Sequence, residues 1–264
     1  MSDTRNTFGQ RCELPSFNKK RRGFSLLELI IVISVTSLLM GLLMPTLSSV
    51  RENAHRVLCG SNQRQLGQSL TMYSGDNRNS LPVASVLDQP EPNPGLLAMV
   101  RNGFDAELMF FADASNNPIP EPLKDSNWDG LGHLYKWHYC SAPESFYCPS
   151  HEGEHTIEKC REQWKAKLIT EPLYGNYQYA GHKDWRTGRR HTLLKGRELV
   201  LLTDGLQTKD DFSHKIGYNE LRGDGSVTWI DNVIIRTQLR NLPPVDIETI
   251  SDLDDVIYEI FSRK

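Results

Sequence analysis

The longest apolar stretch of the chain runs from Phe24 to Met44. It contains one charged residue, Glu28, and it follows the cationic tetrad KKRR at positions 19–22. As an α-helix, its 21 residues would extend about 31 Å, the thickness of the hydrocarbon core of a bilayer. The pattern therefore predicts one transmembrane helix over 24–44, surrounded by membrane lipid. The cationic flank predicts a cytoplasmic N-terminus, with everything after Met44 on the other side of the membrane.

A second pattern, amphipathic rather than uniformly apolar, follows Pro45 directly. Proline here is expected to kink the helix without ending it, because apolar residues go on recurring at three- or four-residue intervals or at a multiple of four. The residues of this stripe are Leu47, Val50, Ala54, Leu58, Leu66, Leu70 and Tyr73. The sequence SGDN predicts the helix end, with Gly75 as a left-handed C-cap. One helix of about 50 residues is expected, with 45–75 as its continuation beyond the membrane.

The remaining residues, 76–264, suffice for one domain with its own core. Repeated prolines predict a loop-rich insertion over about 82–127, with one short helix in GLLAMVRNGFDAELMFF. Farther on, TIEKCREQWKAKLI predicts a helix, whereas LYGNYQYA and ELVLLTD predict strands. The pair Asp224-Gly225, between two strand-like stretches, predicts a β-hairpin. The fold class expected is α+β.

Charge divides the chain at the start of the apolar stretch. Residues 1–23 carry a net charge of +4 and the whole chain −3, which leaves −7 for residues 24–264. A moderately acidic domain gives no electrostatic basis for nucleic-acid binding. The sequence contains no G-x-S-x-G, no H-E-x-x-H and no phosphate-binding glycine loop. We expect neither enzymatic activity nor a cofactor; a catalytic alternative would pair His214 with Asp204 or Asp224.

The sequence RRGFSLLELIIVISV resembles the cleavage and methylation segment of type IV prepilins. It has a basic leader, Gly23 as the last leader residue, Phe24 as the first mature residue and Glu28 as the fifth. The resemblance implies that a prepilin peptidase cuts between Gly23 and Phe24 and that Phe24 becomes N-methylated. It also implies that Glu28 pairs with the N-terminal amine of a neighbouring pilin-like subunit. Such a pair would offset the roughly 2.5 to 3.5 kcal/mol that a charged side chain costs within the hydrocarbon.

A C-terminal pattern is similar to a motif that accompanies prepilin-type leaders in one group of pseudopilin-like proteins. It consists of His214, nine intervening residues, and then Asp224-Gly225. The stretches CGSNQRQLGQSLTMYSGDNRNSLP, SFYCPS and LYGNYQYA resemble the same group. This resemblance implies a pilin-like fold, in which the long helix packs on a C-terminal antiparallel β-sheet domain. It assigns no role to His214; a turn at Asp224-Gly225 with His214 packed nearby is the plain expectation.

Removal of the leader would take Cys12 with it and leave four cysteines, an even number that favours disulfides in an oxidising compartment. They are Cys59, Cys140, Cys148 and Cys160. Three pairings are possible, and the pseudopilin-like segments favour Cys59 with Cys148 and Cys140 with Cys160. The alternative is a zinc site of thiolates and imidazoles, although the spacing matches no standard zinc finger. Its ligands would be Cys148, His151, His155 and Cys160.

These features predict a pseudopilin or minor-pilin-like structural subunit of a type II secretion or type IV pilus apparatus. It would be anchored in the inner membrane, expose its domain to the periplasm or the exterior, and assemble through its N-terminal helix. The alternative is a membrane-anchored binding module that recognises a carbohydrate or a secreted protein and forms no filament. The aromatic residues available for such binding are Tyr135, Trp137, Tyr139 and Trp185.

Overall fold

The computed structural model describes most of the chain, with gaps. The described residues are 24–88, 98–101, 128–153, 155–166, 169, 171–184, 186–193, 199–205, 213–214, 216–231, 237, 257–258 and 260–261. The predicted leader, Gly23 with it, lies outside them, as do most of the predicted insertion and Trp185. The chain divides into two compact units, Met1–Ser48 and Ser49–Lys264.

Helix α1 spans Leu26–Asp76 and includes position 45, so the predicted continuation beyond the proline is confirmed. The predicted C-cap is wrong, because Gly75 lies within the helix and the left-handed residues are Arg78 (φ 54°) and Asn79 (φ 60°). The amide of Asn79 donates to the carbonyl of Ser74 at 2.8 Å. This bond closes a Schellman-type end with Arg78, instead of a glycine, in the left-handed position.

The first unit, as far as it is described, is the apolar part of α1. Its large apolar side chains are about half to three-quarters exposed, from 51% at Val35 to 78% at Phe24. Among the described residues, α1 is the one helix long and apolar enough to cross a membrane. A largely apolar exposed surface of this length fits a single-pass membrane anchor.

The second unit begins with the polar part of α1 and continues through short helices and strands. In the part of the chain that the structure describes, helix α2 spans Gly132–Lys136 and helix α3 spans Ile157–Lys165; the latter confirms the helix predicted in TIEKCREQWKAKLI. The described 3-10 turns are a first at Ser85–Asp88 and a second at Pro143–Phe146. The described strands are β1 Met99–Arg101, β2 Leu173–Tyr174, β3 Tyr177–Tyr179, β4 Val200–Asp204, β5 Tyr218–Arg222 and β6 Val227–Ile230.

The strands that the structure describes form two antiparallel sheets. One contains β1 and β2, and the other has the order β3-β4-β5-β6, in which every neighbouring pair is antiparallel. The predicted hairpin is confirmed, since Leu221 pairs with Val227 across the turn. In that turn Gly225 adopts φ +81°, and the Asp224 carboxylate accepts hydrogen bonds from the amide and hydroxyl of Ser226 at 2.9 and 2.6 Å. The strands expected in LYGNYQYA and ELVLLTD are also present.

The helix expected in GLLAMVRNGFDAELMFF is wrong at the described residues 98–101. There β1 is buried and pairs with β2. The Arg101 guanidinium donates from Nη1 to the carbonyls of Gln163 and Ala166, at 2.6 and 3.0 Å. Those carbonyls belong to the end of α3, where a cation is favoured. Tertiary contacts with β2 and α3 therefore outweigh the local apolar pattern.

The core of the second unit lies between the polar part of α1 and the four-stranded sheet. Cys59, Leu66 and Leu70 of α1 are completely buried and belong to the same apolar cluster as Leu221 of β5. Gly67 allows a close approach of α1 to β5, because a Cβ there would lie 3.0 Å from the methyl carbons of Leu221. A long N-terminal helix followed by antiparallel sheets confirms the α+β fold class.

Candidate functional site

The first candidate site is the start of α1. The amide of Ser25 donates to Oε2 of Glu28 at 2.9 Å, and the amide of Leu27 donates to the hydroxyl oxygen of Ser25 at 3.3 Å. This reciprocal arrangement is a capping box, in which Ser25 is the N-cap and Glu28 the third helical residue. Glu28 thus has a partner in its own helix. The S-x-x-E spacing of Ser25 and Glu28 is a signal by which this role could have been predicted from the sequence. The resemblance to prepilins predicted a partner for Glu28 on another subunit instead.

The second candidate site is a buried polar cluster in the second unit. Four side chains meet there: Cys59 from α1, Cys148 from the segment after the second 3-10 turn, Asp204 at the end of β4, and His214 before β5. None is more than 4% exposed. The ligand atoms of Cys59, Cys148 and His214 all lie within 4.8 Å of one another. Residues far apart in the sequence therefore converge in one buried cluster.

His214 is the centre of this cluster. Its Nε2 lies 3.5 Å from the Cys148 sulfur and 3.4 Å from Oδ2 of Asp204, while its Nδ1 lies 2.6 Å from Oε1 of Glu52. A carboxylate can only accept, so Nδ1 carries a proton and donates it to Glu52. The indole of Trp229 closes one side, with its ring edge-on to the imidazole at 5.5 Å between centroids.

Glu52 is itself held in place by neighbours on its own helix and beyond. The hydroxyl of Ser150 donates to Oε2 of Glu52 at 2.9 Å, and the ring nitrogen Nδ1 of His55 lies 3.1 Å from the same hydroxyl. Arg56, one helical turn from Glu52, approaches its carboxylate at 3.5 Å and covers the Trp229 ring at 4.4 Å. Arg56 thus contacts both Glu52 and Trp229, the two residues that flank the His214 ring.

Asp204 is satisfied by neutral donors. Gln63 donates from its side-chain amide to Oδ1 at 2.9 Å, and Asn219 donates to Oδ2 from its backbone amide at 2.6 Å and from its side chain at 3.1 Å. Burial, with the negative charge of Cys148 nearby, raises the pKa of the Asp204 carboxyl to about 7. Two amide side chains and a backbone amide thus support a carboxylate that burial disfavours.

The two thiols and the imidazole of the cluster shift one another's pKa values. Burial raises the pKa of the Cys59 thiol. At Cys148 burial acts in the same direction, but hydrogen bonds with Cys59 and His214 outweigh it and lower the pKa well below its usual range. Burial alone would lower the pKa of His214, yet its contacts with Cys148, Asp204 and Glu52 raise it to about 9. The cluster therefore favours a thiolate at Cys148 and a positive charge beside it.

The structure records all four mature cysteines as thiols. Cys59 and Cys148 lie together, as the favoured pairing requires, whereas the Cys140 sulfur contacts the carbonyl of Ala142 at 3.8 Å. The disulfide pairings stay predictions. Of the predicted zinc ligands, Cys148 lies in the buried cluster, while the ring of His155 packs on Tyr174 at 5.0 Å. Among the described residues, the group placed to share a metal is Cys59, Cys148 and His214.

Of the two aspartates considered as partners of His214, Asp204 contacts its ring and Asp224 lies elsewhere. Asp224 belongs to the hairpin turn, and the carboxylates against His214 are those of Asp204 and Glu52. Sequence reasoning named Asp204 but missed Glu52, because a glutamate on the polar face of a helix carries no local signal of burial.

The three described aromatic residues proposed for ligand binding, Tyr135, Trp137 and Tyr139, differ in their surroundings; Trp185 lies outside the described residues. Tyr135 packs against the buried Trp164 at 4.9 Å, and the Tyr139 hydroxyl donates to Asp76 at 2.8 Å. Trp137 alone of these three is strongly exposed, at 57%. The described aromatic side chains therefore divide between the core, a contact with α1 and the surface.

Comparison with known proteins bears on the N-terminal segment. Residues 18–44 match the family model described as a prokaryotic N-terminal methylation motif. No curated protein and no solved structure matches the chain. The motif supports a type IV pilin-like protein, and it implies processing by a prepilin peptidase and pilin-like assembly.

Proposed function

We propose that the chain is a pseudopilin or minor-pilin-like structural subunit, which assembles through its N-terminal helix into a secretion or pilus-like filament. The observation that carries this proposal is the methylation motif at residues 18–44, directly before and within an apolar helix whose side chains are exposed. The helix would reside in the inner membrane before assembly, with its N-terminus cytoplasmic and the second unit outside the cytoplasm. Other subunits of the same helix type would bury its apolar surface in the filament.

Glu28 would change partners during assembly. In the single chain its carboxylate caps α1 through the amide of Ser25. After cleavage at Gly23 the new amine of Phe24 would lie one turn from the acid, and an incoming subunit would bring the same amine to it. A carboxylate that accepts from both an amide and an amine is better stabilised in low dielectric than one that accepts from an amide alone.

A catalytic role for the buried cluster is the less favoured reading. Cys148, His214 and Glu52 have the order of a thiol, a base and an orienting acid, with 3.5 and 2.6 Å between successive partners. A nucleophile must reach its substrate. Cys148 and His214 are 4% and 2% exposed, which favours a structural role for the cluster in the subunit.

Cysteine crosslinking within membranes tests the proposal. Leu38→Cys places a thiol on the exposed apolar surface of α1, and Trp137→Cys places one on the exposed surface of the second unit as a matched control. Oxidation should yield crosslinked dimers and larger products for Leu38→Cys in cells with the assembly apparatus, and fewer for Trp137→Cys. Monomers at Leu38→Cys under all conditions would favour the membrane-anchored module that binds carbohydrate or protein alone.

A further inference from the structure

We propose that Cys59, Cys148, His214 and Asp204 form a tetrahedral binding site for one divalent zinc ion, which ties α1 to the four-stranded sheet. The site differs from the zinc set expected from sequence spacing and shares only Cys148 with it. Its residues come from α1, the Cys148 loop, the end of β4 and the segment before β5.

The donor set suits zinc. Thiolate, imidazole and carboxylate are its usual protein ligands, and closed four-ligand sites of this kind are structural. With zinc bonds of 2.0 to 2.3 Å, a tetrahedron places a thiolate sulfur about 3.6 Å from an imidazole nitrogen, and that nitrogen about 3.4 Å from a carboxylate oxygen. The corresponding distances from Nε2 of His214 are 3.5 Å to Cys148 and 3.4 Å to Asp204. Cys59 completes the group within 4.8 Å of both Cys148 and His214.

The surroundings have the form expected around a metal. A histidine that binds zinc commonly donates its other ring nitrogen to a carboxylate, which fixes the tautomer and the ring orientation. His214 does so through Nδ1 to Glu52 at 2.6 Å, and its Nε2 faces Cys148 and Asp204, where it can bind a metal once its proton is released. Asp204 is in turn held by Gln63 and Asn219, as ligating carboxylates are.

Charge supplies a further reason. Two cysteines and an aspartate, each at most 4% exposed, are expensive to ionise together in a buried site where His214 supplies at most one positive charge. A dication would compensate the two thiolates, while the amides of Gln63 and Asn219 support the carboxylate. Binding releases to water the proton of Cys59 and the proton that Cys148 has given up to Nε2 of His214. The ion therefore binds without any oxidant or reductant.

The site and the predicted Cys59–Cys148 disulfide exclude each other, because a disulfide sulfur lacks the thiolate charge that zinc requires. One preparation of the protein distinguishes the zinc site from the disulfide. The full chain is extracted from membranes in detergent without reductant; its metals are measured, and its thiols are alkylated before digestion. We expect about one zinc per chain, as a four-ligand site holds one ion, with Cys59 and Cys148 alkylated only after a chelator is added. A peptide pair joined through Cys59 and Cys148 would overturn the proposal.

The zinc content of two cysteine variants tests whether the ion binds at the cluster. Cys148→Ser should lose the zinc, whereas the matched control Cys140→Ser, which alters a buried thiol outside the cluster, should retain it. Equal zinc in both variants would mean an adventitious ion only. If Cys148→Ser fails to fold, cobalt loading of the unsubstituted chain decides. The ligand-field bands of tetrahedral cobalt, with sulfur-to-cobalt charge transfer, are expected, and an octahedral spectrum would contradict the site.

Discussion

The imidazole Nδ1 of His214 lies 2.6 Å from Oε1 of Glu52, a contact between residues 162 positions apart. It joins the polar part of α1 to the segment that leads into β5. The imidazole is completely buried, whereas the Glu52 side chain retains 31% of its exposure. Burial alone would raise the pKa of Glu52, but the hydrogen bonds from His214 and Ser150 lower it. The pair thus anchors a buried base to an ionised acid at the edge of the core.

Loss of this acid should destabilise the second unit. Glu52→Ala leaves a buried ring N–H of His214 without its acceptor, and it should lower the free energy of unfolding by about 1 to 3 kcal/mol. Glu52→Gln keeps an acceptor oxygen and should lower it less. The control is Glu144→Ala, because Glu144 forms an exposed pair with Arg161, and such pairs contribute about 0 to 1 kcal/mol. Denaturant unfolding of the detergent-solubilised chain measures all three, and equal losses for Glu52→Ala and Glu144→Ala would contradict this account.

Gly217 is expected to tolerate no side chain. A Cβ there would lie 2.4 Å from the carbonyl oxygen of Ile230 and 2.7 Å from the Trp229 ring, the same ring that covers His214. Gly217→Ala should therefore lower the free energy of unfolding by about 1 to 3 kcal/mol or more. Thermal unfolding followed by circular dichroism is the measurement.

Gly75→Ala is the matched control for Gly217→Ala. No atom lies within 4 Å of a Cβ at Gly75, which is a helical residue of α1. Alanine there should raise stability by up to about 1 kcal/mol, because glycine is the poorer helix former. If Gly75→Ala were less stable than the unsubstituted chain, Gly75 would be the left-handed C-cap that the sequence predicted, and its helical position in α1 would be contradicted.

Asp129 should make stability depend on pH. Its carboxyl is buried, accepts from the amide of Ser85 at 2.8 Å, and has its pKa raised by burial from 3.8 to about 6, with His182 acting in the opposite direction. Between these pH values the folded chain holds a proton that the unfolded chain has released. The stability contributed by Asp129 therefore falls as pH rises through this window.

The substitution Asp129→Asn removes that titration and keeps an acceptor for Ser85. The stability of Asp129→Asn relative to the unsubstituted chain should rise between pH 4 and pH 8 by about 2 kcal/mol, at 1.36 kcal/mol for each pKa unit and with the unfolded carboxyl already partly ionised at pH 4. Unfolding curves of both chains across this range give the difference directly, and contributions from other groups cancel. A difference that does not change with pH would mean that Asp129 stays ionised throughout.

Processing should produce a mature chain that begins at Phe24. N-terminal sequencing of membrane-extracted protein should read Phe-Ser-Leu-Leu-Glu, and the intact mass should include one added methyl group. Gly23→Leu should block cleavage because of its bulk, whereas Gly23→Ala should still be cut. Retention of residues 1–23 in cells that contain the peptidase would refute cleavage at this site.

The sequence correctly predicted those elements that depend on local periodicity or on turn-forming residues. The extent of α1, helix α3 and the hairpin at Asp224-Gly225 follow from periodicity and turn chemistry. The strand β1 did not, because its pairing with β2 and the contact of Arg101 with the end of α3 arise only in the folded chain. The buried cluster was predicted only in pairs, Cys59 with Cys148 and His214 with Asp204 as alternatives. That the two pairs meet, with Glu52 beside them, arises only in the folded chain.

The role of Glu28 offers the most direct test of the proposed assembly. Glu28→Gln keeps an oxygen that can accept from the Ser25 amide and so preserves the capping box, but it removes the charge that would pair with an incoming amine. Glu28→Ala removes both. A simple membrane anchor should gain from either change, because loss of a carboxylate from the hydrocarbon eases insertion by up to a few kcal/mol.

The decisive measurement is Leu38→Cys crosslinking at equal membrane abundance in three backgrounds: the chain with Glu28 intact, the Glu28→Gln variant and the Glu28→Ala variant. If assembly depends on the charge, both variants should lose the crosslinked products, because removal of one member of a buried ion pair costs about 3 to 5 kcal/mol. Processing at Phe24 should remain intact in both. Crosslinking in both variants equal to that of the chain with Glu28 intact would contradict the assembly role of Glu28 and favour an anchored binding module.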